Sequence, residues 1–326
     1  MKKKKKTSPL ITITIIVLVI VIVVSGFMVI NHIFDSDKKT ASAPENTKTV
    51  TVDGVDYYPR QDITVIMLIG VDERGPVKES PSYLNTGESD MVALAVFDEV
   101  DQTYSVLVLN RDTMMDIPTL GLGGKPAGTI YGQLALSHTY GSGLEDSCEN
   151  TVKAVSDFLS GLTVDYYVAM NMDGISILND AVGGVTVNVQ DDFSLVDPSI
   201  PMGEVTLNGE QALHFVHTRK DVGNQMNLSR MDRHKEYMDS FVKAFKEKTK
   251  ADDSFVLTTY DEVAPYLVSN CPVNTLSSML NRYADYELKE IVSPEGENVM
   301  TEKYIRFYAD EEKLEDLVIS MFYKKK

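Results

Sequence analysis

A cluster of basic residues in the C-terminal half of the chain has the composition of a phosphate-binding site. At about 100° per residue, four side chains of one helical pattern fall within a sector of about 100°: Arg230, Arg233, His234 and Tyr237. Arg219 and Lys220 precede them. Because arginine donates planar, bidentate hydrogen bonds to phosphate oxygens, the cluster predicts a site for a polyanion such as pyrophosphate. The alternative is a set of ordinary exposed helix charges that pair with neighbouring acidic residues.

A second group of chemically active residues stands at the ends of predicted strands. Short apolar runs at 63–69, 91–97 and 104–109 are rich in β-branched residues and predict buried strands. Asp72 and Glu73 follow the first run, Asp90 precedes the second, and Asp112 follows the third. Ligands of α/β sheets commonly bind outside the strand carboxyl ends, and carboxylates there suit Mg²⁺ shared with a phosphate. Ordinary turn chemistry is the alternative explanation for these aspartates.

These strands belong to a longer alternation of helices and strands. Apolar patterns predict helices at 130–140, 144–159, 174–181, 209–215 behind the N-cap Asn208, from 228 onward, at 276–283 and at 311–322. Strands are predicted at 165–170, 185–189 and 287–292. Interleaving of this kind is typical of helices packed on the faces of a mixed sheet. The predicted fold class is therefore α/β, a three-layer sandwich with a central mixed β-sheet flanked by helices. The lysines at 324–326 are expected to form a solvated tail.

Composition and charge exclude several classes of protein. The chain has 326 residues, of which 43% are apolar, and this fraction excludes a disordered or collagen-like chain. Without the lysines at 2–6, 26 basic residues remain against 48 acidic ones, a net charge of −22. Such a body repels nucleic-acid phosphates, so no nucleic-acid partner is expected. Cys148 and Cys271 are compatible with either a disulfide or two buried thiols.

The N-terminus has the pattern of a membrane anchor. Residues 10–30 carry no charge and follow the lysines at 2–6. As a helix they would be about 31 Å long, close to the thickness of the hydrocarbon core of a bilayer. A cleaved signal peptide is the alternative, although its apolar region is usually shorter. The predicted organisation is a cytoplasmic basic tail at 1–9, a single transmembrane helix at 10–30, an extracytoplasmic linker at 31–60 and one large domain at 61–326.

Several short segments, in order along the chain, resemble the motifs of the LytR-CpsA-Psr family of membrane-anchored extracytoplasmic phosphotransferases. They are residues 66–74 (IMLIGVDER), 89–91 (SDM), 110–113 (NRDT), 182–187 (VGGVTV), 207–213 (LNGEQAL), and Thr218-Arg219 with Arg230 and Arg233. The resemblance covers roughly residues 63–237 and follows the predicted anchor.

The resemblance implies a function and a set of site residues. It implies transfer of a glycopolymer, such as wall teichoic acid or capsule, from a polyprenyl-pyrophosphate carrier to peptidoglycan through a phosphodiester bond. The reaction would take place at the outer side of the cell membrane in a Gram-positive-type envelope. The implied catalytic residues are Asp72, Asp90 and Arg111, with Mg²⁺ or Mn²⁺ held by the two aspartates. The implied pyrophosphate-binding set is Arg74, Arg111, Arg219, Arg230, Arg233 and His234.

Some positions depart from the family pattern and keep other hypotheses open. Glu88 stands where the family has arginine, His217 begins its Arg-x-Arg pair, and Asn227 and His234 replace an aspartate and a glutamine. These departures favour a second hypothesis, a non-catalytic scaffold or sensor that binds a polyprenyl-linked ligand or a wall polymer. A third hypothesis makes His214, His217 and His234 a zinc site, although no H-E-x-x-H pattern accompanies them.

Overall fold

The computed structural model describes residues 49–218, 222, 227–252, 254–272, 275, 278–279, 282–283, 286–301 and 304–325. Its strands are β1 (Val50–Val52), β2 (Val55–Pro59), β3 (Ile63–Val71), β4 (Ser89–Asp98), β5 (Thr103–Leu109), β6 (Met114–Leu120), β7 (Pro126–Gln133), β8 (Tyr166–Asn171), β9 (Val185–Val189), β10 (Gly203–Leu207), β11 (Leu267–Ser269), β12 (Glu287–Val292), β13 (Gly296–Met300), β14 (Ile305–Ala309) and β15 (Tyr323–Lys325). Its helices are α1 (Glu145–Phe158), α2 (Asp173–Ala181), α3 (Gly209–His217), α4 (Asn227–Ala251), α5 (Phe255–Val263) and α6 (Glu311–Phe322). Short 3-10 turns lie at Leu122–Gly124, Leu134–Leu136 and Ala264–Tyr266.

The predicted tail and transmembrane helix lie outside these residues, as does most of the helix predicted at 276–283. Within the part of the chain that the structure covers, no helix combines the length and apolar character needed to cross a membrane.

A six-stranded mixed sheet forms the centre of the described structure, in the order β11-β8-β3-β4-β5-β12. β3 is parallel to β8 and antiparallel to β4, which is in turn antiparallel to β5. The last residue of β3 pairs with the first residue of β4, and the last residue of β5 pairs with Val92. The segments that carry Asp72, Asp90 and Arg111 therefore leave the sheet at the same edge.

Both faces of the central sheet are buried. Ile66 and Leu68 of β3 face one core, whereas Met67 and Ile69 face the opposite core. The first core is completed by residues of β9 and of α2–α5, and the second by residues of α1, α6 and β6. The predicted α/β three-layer sandwich with a central mixed sheet is confirmed.

Local sequence signals predicted several elements correctly. The strands expected at 63–69, 91–97, 104–109, 165–170, 185–189 and 287–292 are present, as are the helices at 144–159, 174–181, 209–215 and 311–322 and the long helix after 228. Asn208 caps α3, because its Oδ1 accepts from Gln211 N while Gln211 Oε1 accepts from Asn208 N, each at 3.0 Å. This capping box fixes the first residue of α3 and thereby the position of its last residue, His217.

The helix predicted over 130–140 is wrong. Residues 126–133 form β7, which pairs with β6 so that Ile130 lies opposite Ile117, and the 3-10 turn follows. The apolar spacing fitted a helix, but Gly132 lies inside this segment and weakens helix formation, and Gly128, at φ 135°, lies just before it. Cross-strand packing against β6 then decides the conformation.

Both ends of the described chain belong to the folded domain. Residues 50–59, which the sequence assigned to the linker, form β1 and β2, and β2 pairs with β15. Lys324 and Lys325 lie in β15, and Lys324 Nζ donates to Asp62 Oδ2 at 2.8 Å. The prediction of a solvated tail is therefore wrong for these two lysines, and the folded part includes Val50 rather than beginning at 61.

Cys148 and Cys271 are buried free thiols. They belong to the cores on opposite faces of the sheet, so the sheet itself separates them. The buried-thiol alternative is confirmed.

Candidate active site

Arg111 is the centre of an ion-pair cluster at the sheet edge. Its Nη1 donates to the Asp90 carboxylate and its Nη2 donates to Glu88 Oε2 at 2.6 Å. Its Nε lies 3.9 Å from Asp112 Oδ1. Burial alone would lower the pKa of Arg111, but Asp90 and Glu88 raise it above its ordinary value. The guanidinium therefore stays charged, and two predicted catalytic residues, Arg111 and Asp90, are in direct contact.

The turn at 134–136 holds the loop of Arg111 and the start of β4 together. The Arg111 carbonyl accepts from Ala135 N at 3.0 Å. The buried hydroxyl of Ser89 donates to the Leu134 carbonyl, also at 3.0 Å. Both strand ends are thus tied to the same short turn, which fixes Asp90 beside Arg111 before any ligand arrives.

Asp72 belongs to the same cluster. Its backbone N donates to the Glu88 carbonyl at 2.9 Å. Partial burial and the charge of Asp90 raise the pKa of the Asp72 carboxyl, and Glu88 adds to the rise while His217 and Arg111 oppose it. A carboxylate with a raised pKa is a stronger proton acceptor than an ordinary aspartate. The structure therefore brings together all three predicted catalytic residues.

Asp72 and Asp90 have the donor chemistry of a magnesium site. Carboxylate oxygens are the ligands that Mg²⁺ prefers, and a bound cation would relieve the repulsion that raises the pKa of Asp72. Over the described ranges, no group of three or more His, Cys, Asp or Glu side chains is arranged to hold a metal ion. The two aspartates fit a cation that takes its remaining ligands from phosphate and water.

Arg74 lies in a different set of contacts. Its Nε lies 2.5 Å from Asp173 Oδ1 and its Nη2 lies 2.9 Å from Glu210 Oε1. Asp173 opens α2 and Glu210 lies in the first turn of α3, so the arginine links the β3 loop to both helices. Half of the Arg74 side chain is exposed. Arg74 was predicted to bind pyrophosphate. In the structure its guanidinium is already paired with two carboxylates.

Arg233 is buried rather than presented to a ligand. Its side chain is 6% exposed and lies over the rings of Phe193 and Phe215, at 5.1 and 5.9 Å from their centroids. Nη2 donates to the Thr218 carbonyl at 2.8 Å, and Nη1 lies 3.4 Å from Asp191 Oδ2. Burial lowers the pKa of Arg233, against the effect of Asp191. The structure thus places this predicted phosphate ligand inside the packing between α3 and α4.

Other predicted site residues remain outside this geometry. Arg219 and the side chains of Arg230 and His234 lie outside what the structure describes. His214 Nδ1 lies 2.8 Å from Asp197 Oδ2, which ties the imidazole to a carboxylate, and His217 is exposed. The zinc interpretation stays a prediction that no described cluster supports.

Sequence reasoning missed the partners of Arg74 and the contact of Gln133, whose Nε2 donates to Asp112 Oδ1 at 2.8 Å. Asp173 follows the end of β8, so the strand-end rule that found Asp72 could have found it too. Glu210 lies 136 positions from Arg74 along the chain, and only the packing of α3 shows that the two side chains meet.

A charged arginine after the end of β5, held by carboxylates at the start of the neighbouring strand β4, defines an α/β protein with a site suited to phosphate chemistry. The chain belongs to the LytR_cpsA_psr family, whose model matches residues 26–321. The resemblance inferred from the short motifs is confirmed.

Sequence relatives and solved structures are similar to this chain. The polyisoprenyl-teichoic acid–peptidoglycan teichoic acid transferase TagU of Oceanobacillus iheyensis is 28% identical over 250 residues, which cover 74% of this chain and 68% of that protein. TagV of B. subtilis matches with a TM-score of 0.57 at 20% identity, covering 80% of this chain and 96% of that chain. TagT bound to LI-WTA matches with a TM-score of 0.56 at 22% identity, covering 80% and 90%. The two structures support the fold.

Proposed function

We propose that this protein is a phosphotransferase that moves a glycopolymer of the teichoic acid type from a polyprenyl-pyrophosphate carrier to peptidoglycan. The observation that carries the proposal is the convergence of Asp72, Asp90 and Arg111 within family motifs at one sheet edge. The name of the TagU relative, a teichoic acid transferase, supports the same reaction. Phosphoryl transfer depends mainly on positioning and on neutralising charge, and a preorganised arginine supplies both.

The reaction exchanges one phosphorus–oxygen bond for another. An acceptor hydroxyl oxygen bonds to the phosphorus that carries the glycopolymer, and the bond from that phosphorus to the bridging oxygen breaks. The polyprenyl phosphate leaves with the electron pair. Asp72 takes the hydroxyl proton, since its pKa is raised, while Arg111 donates to oxygens that gain negative charge.

Asp72 and Asp90 are the residues that would hold Mg²⁺ or Mn²⁺. The cation would supply further neutralisation of the diphosphate. Arg219, Arg230 and His234 remain proposed diphosphate ligands on the strength of their motif positions. Arg74 and Arg233 are secondary candidates, because carboxylates and aromatic rings already contact them.

The proposed location is the outer side of the cytoplasmic membrane in a Gram-positive-type envelope. The lysines at 2–6 and the uncharged run at 10–30 support a single anchor with a cytoplasmic N-terminus. A tethered domain would meet both a lipid-linked donor and the peptidoglycan acceptor.

The test is transfer of a labelled glycopolymer from a polyprenyl-pyrophosphate carrier to peptidoglycan by the full chain in detergent, with and without Mg²⁺. Arg111→Ala is expected to lower the transfer rate by about 10²–10³-fold. Arg282→Ala is the matched control, because it removes an exposed arginine that pairs with Glu99 at the opposite edge of the sheet. Transfer by Arg111→Ala at the wild-type rate would contradict the proposal.

A non-catalytic scaffold or sensor is the second candidate, and the Glu88 contact favours it. Nη2 of Arg111 donates to the Glu88 carboxylate at 2.6 Å. This donor would otherwise bind a phosphate oxygen. Carrier binding without turnover, with either Mg²⁺ or Mn²⁺, would support this second function.

A further inference from the structure

Two β-hairpins present aromatic side chains that the site described above does not use. Tyr131 of β7 is 61% exposed and Tyr308 of β14 is 37% exposed. Tyr131 lies opposite Asp116 in the β6–β7 pair, and Tyr308 lies opposite Glu297 in the β13–β14 pair. Opposed residues of antiparallel strands share a face. We call these four residues the hairpin face.

The hairpin face is continuous with the loop of Arg111. Gln133 Nε2 donates to both Asp112 Oδ1 and the Ile305 carbonyl at 2.8 Å, and Phe307 N donates to the Asp112 carbonyl at 2.8 Å. Tyr131 lies two residues before Gln133 on the same side of β7, about 7 Å along the strand. A ligand lying along β7 would therefore reach from the tyrosines to the residue next to Arg111.

The charge of this surface restricts what it can bind. Partial burial, followed by the nearby Tyr308, Asp116 and Glu311, raises the pKa of the Tyr131 phenol. The phenol is therefore neutral and lies near the carboxylates of Asp116 and Glu311. Arg306 lies two residues before Tyr308 on the same face of β14, but the carboxylates outnumber it. The excess of carboxylates on the hairpin face repels a polyanionic glycopolymer and anionic lipid headgroups.

The tyrosines and carboxylates suit a neutral sugar. The flat C–H face of a pyranose ring packs on an aromatic ring, while carboxylate and phenol oxygens bond to its hydroxyl and amide groups. Exposed aromatic surface beside a reaction centre is typical of a ligand-binding surface.

We propose that the hairpin face binds the acceptor, a neutral glycan strand of β-1,4-linked N-acetylated amino sugars, and directs one of its hydroxyls toward Arg111. This inference rests on the proposed transfer function and adds where the acceptor lies. The donor and its diphosphate would contact the Arg111 cluster from the other direction.

The first test is direct binding of an oligomer of β-1,4-linked N-acetylglucosamine to the full chain in detergent, by isothermal titration. Tyr131→Ala and Tyr308→Ala are each expected to weaken the Kd by about tenfold, the loss of one aromatic contact. Tyr131→Phe keeps the ring and is expected to bind as the wild type does. Tyr58→Ala removes a tyrosine of β2 whose exposure, 44%, lies between those of Tyr308 and Tyr131, and is the matched control.

Unchanged binding by both alanine variants would overturn the inference. So would tighter, salt-sensitive binding of an anionic teichoic acid fragment to the same tyrosines, because that would make the face a donor site. Tight binding of vesicles rich in anionic lipid that Tyr131→Ala abolishes would equally overturn it.

The transfer assay separates failure of this inference from failure of the proposed function. In an active protein, Tyr131→Ala is expected to raise KM for the acceptor about tenfold and to leave KM for the carrier unchanged. Sugar binding that requires Tyr131, in a protein without turnover, would preserve the hairpin face and reject the transferase. Turnover with an unaltered acceptor KM would do the reverse.

Discussion

The sheet edge around Arg111 and the helix packing around Arg233 each hold an arginine that lies within a family motif, and their surroundings differ. Arg111 is 28% exposed and contacts Glu88 and Asp90. Arg233 is 6% exposed, with two phenylalanine rings over its guanidinium and a single carboxylate, Asp191, at 3.4 Å. At the sheet edge carboxylates raise the arginine pKa, whereas in the packing burial lowers it.

The difference shows that arginines within the family motifs of this chain lie in two kinds of environment. Arg111 keeps a solvent-facing side, so under the proposed function an incoming phosphate would replace one of its carboxylate partners. Arg233 donates to the Thr218 carbonyl and therefore holds the end of α3 against α4. One arginine remains accessible to solvent, and the other stabilises the packing of α3 against α4.

The largest expected effect is on stability. Arg233→Ala would leave Asp191 without its partner and open space between Phe193 and Phe215, so we expect the free energy of unfolding to fall by about 3 kcal/mol. Arg111→Ala lies at a partly exposed site and is expected to change it by less than about 1 kcal/mol. Urea unfolding of the two variants in parallel measures this contrast. Equal losses would remove the distinction between the two arginines.

Glu88→Gln tests whether the Glu88 carboxylate competes with phosphate for Arg111 at the sheet edge. The amide keeps the shape of Glu88 but no longer competes as an anion for Nη2 of Arg111, so inorganic pyrophosphate is expected to bind about tenfold more tightly. Glu99→Gln is the control, because it neutralises a carboxylate paired with Arg282 at the other edge of the sheet. Weaker pyrophosphate binding by Glu88→Gln would mean that Glu88 holds Arg111 in its binding position.

The pH dependence of transfer tests the role of Asp72. Burial and neighbouring carboxylates raise its pKa and a bound cation would lower it again, so at limiting Mg²⁺ the rate is expected to increase with pH through a value above that of an ordinary aspartate. Glu88→Gln should move this acidic limb to lower pH, since it removes one source of the rise, and Asp72→Asn should abolish it. A limb that stays in place in both variants would assign the proton to another group.

The raised pKa of Asp72 also makes the free energy of unfolding depend on pH. The folded state holds the Asp72 proton more tightly than the unfolded chain does. Its stabilising contribution is therefore complete below the unfolded pKa and is lost as pH rises through the folded one. The difference in stability between wild type and Asp72→Asn, followed by urea unfolding against pH, measures it.

The smallest expected effect belongs to Arg74. The Arg74 side chain is half exposed and its pair with Glu210 is exposed, while Asp173 is only 21% exposed, so Arg74→Ala is expected to cost about 1 kcal/mol of stability. Transfer should change far less than in Arg111→Ala. A collapse of transfer in the Arg74 variant, with stability intact, would show that Arg74 leaves its carboxylates to bind the carrier.

The sequence by itself determined the local elements and the residues that meet at the sheet edge. β3, β4 and β5 are runs of β-branched and apolar residues, and the Asn208–Gln211 capping box needs contacts only three positions apart. Asp72 and Asp90 stand at predicted strand ends, and the family resemblance added Arg111. The pairing of β3, β4 and β5 then shows that these three positions meet.

Only the tertiary structure decided which charges are free to meet a ligand. The burial of Arg233, the pairing of Arg74 with Glu210 and the addition of Lys324 to the sheet of β2 all join residues distant in sequence. Residues 130–140 became a strand and turn for the same reason, because packing against β6 outweighs a local apolar spacing. Local propensity is a property of a few neighbouring residues, whereas desolvation and ion pairing depend on what the rest of the chain places around them.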